Sequence, residues 1–76
     1  MRTILTFSTL HQVLAAEKRL RNSESTKSAV RTTPTPPGLS SAMCGMSLEI
    51  LEKEKQQQVL DCLKKGNLNP AGVYDL

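Results

Sequence analysis

The chain has 76 residues, 38% hydrophobic and only 3% aromatic, with ten Lys and Arg against seven Asp and Glu for a net charge of +3. That length suits one small domain, residues 1–76, with a modest core of Leu, Ile, Val, Met and Ala, and it excludes a second domain. The basic excess is mild and scattered, without the dense block of a nucleic-acid-binding arm, and no run approaches the roughly 20 apolar residues of a membrane span.

Ser8, Thr9, His11 and Gln12 interrupt the apolar start before it reaches the length of a signal peptide, so the chain reads as soluble and cytoplasmic, with reduced thiols. Residues 3–7 are short and β-rich with little charge on either face, which predicts a central first strand. Ser8 or Thr9 then offers an N-cap for a helix running to about Asn22, with Leu10, Val13, Leu14 and Leu20 on its inward side. Glu17 falls inside that apolar arc, between Leu10 and Val13. It reads either as a structural ion pair at the core edge or as a polar group serving a site.

Residues 22–27 are rich in Ser, Glu and Thr and read as a loop, and residues 28–33 as an edge strand with Val30 inward. In the segment that follows, Pro34, Pro36 and Pro37 exclude a helix or a central strand. Gly38 and Gly45 permit unusual backbone, Ser40 and Ser41 add hydroxyls, and Ala42 leaves room around Cys44. The segment reads as a surface loop that presents a cysteine. Met46, Leu48 and Ile50 alternate with Ser47 and Glu49, the pattern of a third strand with one buried face.

Residues 52–65 are acidic at the start and lysine-rich at the end, as a helix dipole favours. Val59, Leu60 and Leu63 form the inward stripe, Cys62 flanks it as a small hydrophobe, and Gly66 ends the helix. Asn69, Pro70, Ala71 and Gly72 turn the chain into a short last strand.

The order is βαββαβ, an α+β, ferredoxin-like arrangement with a four-stranded antiparallel sheet and two helices on one face. Right-handed crossovers place the end of the first strand, the start of the first helix and the loop between the second and third strands at one end of the domain. Cys44 is therefore expected to meet Ser8, Thr9 and His11. Free N–H groups and the positive dipole end of the helix would stabilise a thiolate or persulfide there, and His11 could add charge or exchange a proton.

The segments Leu5-Thr6-Phe7-Ser8-Thr9-Leu10-His11, Ala16-Glu17-Lys18, Pro34-Thr35-Pro36, Ser40-Ser41, Cys44-Gly45 and Gly72-Val73-Tyr74 together resemble the small family of selenium/sulfur carrier-like proteins over nearly the whole chain. The resemblance implies a ferredoxin-like fold and a loop cysteine, Cys44, carrying a persulfide or selenopersulfide. It implies matching polar residues at Ser8, Thr9, His11 and Glu17. It also implies sulfur- or selenium-donating and accepting partners such as a cysteine desulfurase. The chain departs from the family pattern at Pro37, where a basic residue is expected, and in a Ser-Ser to Cys spacing one residue longer.

One His, no paired acidic motif and no Gly-rich phosphate loop argue for a carrier or accessory protein over a stand-alone enzyme. No cofactor is predicted. Cys44, Cys62 and His11 lack the local pair spacing of a metal site. Phe7 and Tyr74 alone could stack bases, and Phe7 is assigned to the core, so nucleic acid is not the expected partner. The competing reading is a non-catalytic protein-binding or regulatory domain using its sheet face or an edge, and the small core leaves room for a homodimer.

Overall fold

The computed structural model describes residues 2–39 and 45–76; Ser40, Ser41, Ala42, Met43 and Cys44, to which the sequence assigns the presented thiol and its hydroxyls, lie outside the described residues. The elements are β1 (Thr3–Thr6), α1 (Leu10–Arg21), β2 (Val30–Pro34), β3 (Met46–Ile50), a 3-10 turn (Lys53–Lys55), α2 (Gln56–Lys65) and β4 (Gly72–Asp75). All three strand pairings are antiparallel, in the order β2-β3-β1-β4. β3 therefore splits the β1-α1-β2 unit and β1 splits the β3-α2-β4 unit, the ferredoxin-like arrangement that the sequence predicts. β1 is central and β2 is an edge.

Registers assign the two faces. Leu5 pairs with Leu48 and Thr3 with Ile50. Leu5, Leu48 and Ile50 join Phe7, Val13, Ala16, Leu20, Ala29, Val59 and Leu63 in the core beneath the helices. Phe7 is buried there, as predicted.

Two expectations are corrected. On α1 the buried stripe is Val13, Ala16 and Leu20, whereas Leu10 and Leu14 are 49% and 51% exposed. At 100° per residue Leu14 lies about 100° round the helix from Val13. The small Ala16 faces the sheet instead, and Leu10 and Leu14 fall on the flank. On β3 both faces are buried. Ser47 and Glu49, read as solvent-facing, are closed off, along with Ile4, Thr6 and Thr33 on the same face.

The polar groups on that second face are paired. Glu49 accepts hydrogen bonds from Arg2 Nε and Nη2 at 3.3 and 3.2 Å and from Arg31 Nε and Nη2 at 3.3 and 3.2 Å. The Thr35 and Ser47 hydroxyls are 2.6 Å apart. The Tyr74 ring lies over Gly72, where a Cβ would come within 2.6 Å of it. Among the described residues, no buried side-chain N or O lacks a partner.

The stretch after α1 is a series of turns. Thr26 is buried and its hydroxyl donates to Leu20 O at 2.7 Å, so one of the carbonyls left over at the end of α1 is satisfied. No helix among the described residues is long and apolar enough to cross a membrane.

Candidate functional site at the loop end of the sheet

The ends of β1 and β2 and the starts of β3 and β4 share one end of the sheet. β1 leaves the sheet there into α1, and β2 leaves it there into the loop that returns as β3. The neck of this loop is closed by the Pro34–Met46 pair and by the Thr35 N–H, which donates to Gly45 O at 2.9 Å. Beyond the neck, the Leu39 N–H donates to Pro36 O at 3.4 Å, and Gly38 has φ +96°. Pro37 and Gly38 therefore occupy the central positions of a type II turn, whose third residue must take positive φ. Gly45 is exposed, with no atom within 4 Å of the place a Cβ would occupy.

At the start of α1, Thr9 is the N-cap in extended conformation, and its hydroxyl accepts from the Gln12 N–H at 3.2 Å. Gln12 Oε1 in turn accepts from the N–H groups of Ser8 and Thr9 at 3.0 and 3.3 Å. This capping box leaves Leu10 and His11 as the first-turn residues whose N–H groups have no intrahelical acceptor. The first turn has no acidic residue, so the positive end of the helix dipole is not offset there. Ser8, Thr9 and His11 are all exposed.

The site residues separate into groups. Ser8, Thr9, His11 and Gly45 lie at the loop end. Cys44 is the covalent neighbour of Gly45 but, with Ser40 and Ser41, lies outside the described residues. Glu17 is elsewhere, roughly 12 Å along the helix from Thr9 at 1.5 Å per residue. Its carboxylate pairs with Arg21 at 2.8 Å, one turn on, and is 22% exposed. That is the structural ion pair at the core edge. Among the described residues, no three His, Cys, Asp or Glu side chains converge as a metal site.

Gln12, Thr35 and Ser47 also shape this end and were not singled out as site residues in the sequence. Thr9 and Gln12 at a spacing of three are the capping-box signature, so Gln12 could have been found. The Thr35 and Ser47 contact carries no local signal, because it depends on the strand register.

This end of the molecule defines its class: a small ferredoxin-like α+β domain in which the neck of the β2–β3 loop and the start of α1 lie at the same end of the sheet. The chain belongs to the family described as "Putative Se/S carrier protein-like", whose model matches residues 2–75. No curated protein and no solved structure matches it.

Proposed function

We propose that the protein is a sulfur or selenium carrier whose working group is Cys44, loaded as a persulfide or selenopersulfide by a donor such as a cysteine desulfurase. In the loading step the Cys44 thiolate attacks the outer sulfur of the donor's persulfide. The donor's S–S bond breaks, its cysteine leaves as a thiolate, and the sulfur remains on Cys44. Family membership is the observation that carries this reading. The geometry supports it further, because the loop neck at Gly45 and the uncompensated start of α1 share one end of the sheet, where Leu10 and His11 N–H groups would favour an anionic sulfur. Ser8, Thr9 and His11 are the polar residues on the helix side of that site.

The test is intact mass after incubation with a cysteine desulfurase and cysteine. The expected gain is one sulfur, retained in Cys62→Ala and lost in Cys44→Ala. A gain that survives Cys44→Ala removes Cys44 as the carrier. The alternative is a binding domain using the sheet face, where the Arg2 and Arg31 side chains are 45% and 61% exposed, or the edges of β2 and β4.

A further inference from the structure

Away from the loop end, a groove of about 560 Å³ runs between the two helices, lined by Ala15, Lys18, Arg19, Asn22, Cys62 and Leu68 among others. A second hollow of about 300 Å³ continues it past Arg19 and Cys62 to Asp61 and Lys65. The larger volume lies in the range of small-molecule sites. The groove carries three cations, Lys18, Arg19 and Lys65, against one carboxylate, Asp61, which accepts from Gln57 at 3.0 Å. None of the three cations makes an ion pair among the described residues.

Arg19 is held in place across this groove. Its Nε donates to Cys62 O at 2.7 Å, and a Cβ on Gly66 would come within 2.5 Å of Arg19 Cδ and Nε. The absence of a side chain at Gly66 therefore lets the guanidinium cross to α2 and rest beside the residue that bears the thiol. Cys62 itself is half-buried, one wall of the groove. Volume, fixed cation and the thiol-bearing residue, which also packs against the core, come together in one place.

We propose that this groove binds an anionic low-molecular-weight disulfide of peptide size and that Cys62 exchanges with it. The Cys62 thiolate attacks one sulfur of the bound disulfide, whose S–S bond breaks. A mixed disulfide forms on Cys62, and the other half leaves as a thiolate that takes up the proton Cys62 released. One thiol is consumed and one produced, with no further oxidant. Lys18, Arg19 and Lys65 hold the carboxylates of the ligand. The proposal does not depend on Cys44.

The experiment uses the full chain carrying Cys44→Ala and follows the intact mass with three disulfides: glutathione disulfide (anionic), 2-hydroxyethyl disulfide (neutral) and cystamine (cationic). Each rate is divided by the rate for the same chain in denaturant, which removes intrinsic reactivity. The expected result is a native-to-unfolded ratio about tenfold higher for glutathione disulfide than for the neutral reagent, and lowest for cystamine, as charge steering requires. Lys18→Gln with Arg19→Gln should bring the anionic ratio down to the neutral one. Ala15→Leu, which fills the groove from an exposed helical position and keeps every charge, should lower it without unfolding the chain. Equal ratios for the three reagents, or an anionic preference untouched by both the charge and the filling variants, would overturn the proposal.

Discussion

Glu49 is the residue at which charge and burial meet most sharply. It is 8% exposed, yet its carboxylate stays ionised more readily than usual: hydrogen bonds from Arg2, the larger effect, and from Arg31 hold its pKa below the ordinary 4.5, against the opposing pull of burial. A carboxylate lowered on folding contributes stability that is complete above its unfolded value and is lost as the pH falls through the lowered folded value. Glu49→Gln should therefore cost about 1.5–3 kcal/mol at neutral pH, the range for hydrogen bonds to a charged group. The difference from the parent should shrink as the pH falls below the ordinary carboxylate value. Urea midpoints at a series of pH values measure it, and a difference that stays constant into acid would mean that the ionised form is not the one the arginines favour. Asp75 adds an acid dependence of the same sign, since the Thr3 hydroxyl and then Lys53 lower its pKa.

The two helices are held by different means. α1 begins with the Thr9 and Gln12 capping box and faces the sheet with Val13, Ala16 and Leu20. α2 has no side-chain cap and depends on Val59 and Leu63, both fully buried, and on Gly66 at its end. Leu63→Ala should accordingly cost about 2–4 kcal/mol, the loss and cavity of a core leucine, whereas Leu14→Ala should cost less than about 1 kcal/mol because half of its surface is already in water. Urea unfolding of the two variants side by side checks the assignment. Similar losses would mean that α1 is rotated from the orientation described. Both leucines satisfy a helical apolar pattern, so the sequence alone ranks them together. Only tertiary packing separates them: Leu63 closes into the core and Leu14 stays on the flank.

At the scale of the molecule, β1 is the element on which the others close. All four of its residues are buried, and it pairs with β3 on one side and β4 on the other. β4 is joined to the sheet through β1 alone, with Thr3, Ile4, Leu5 and Thr6 opposite Asp75, Tyr74, Val73 and Gly72, and it shelters Ile4 on the face away from the helices. A chain ending at Asn69 would turn the central strand into an exposed apolar edge, a form prone to pairing with other chains. Such a chain should lose its cooperative urea transition and self-associate. A monomer with a parent-like transition would show that the other three strands and the helices are sufficient.

The residue pattern by itself determined the order and type of the elements. Alternation with period two over residues 46–50, helical periodicity within the two long segments, a threonine before the first helix and a glycine after the second are all local signals, read over a few residues of chain. Together they determined the ferredoxin-like class, the central first strand and the edge second strand, and the Pro and Gly run marked the loop whose neck the structure closes at Thr35 and Gly45. The shared end of the sheet for the start of α1 and the β2–β3 loop was legible, because a βαβ crossover makes its two strands parallel and so puts their ends on the same side. The placing of Glu17 with Arg21 was legible only as one of two options, since a helical angle gives a direction but no partner. Tertiary structure decided the rest: the rotation of α1, the burial of both faces of β3, the pairing of Glu49 with arginines 47 and 18 residues away, and the setting of Cys62 beside Arg19. These depend on contacts between segments distant in sequence, and a local period carries no information about what stands across from it.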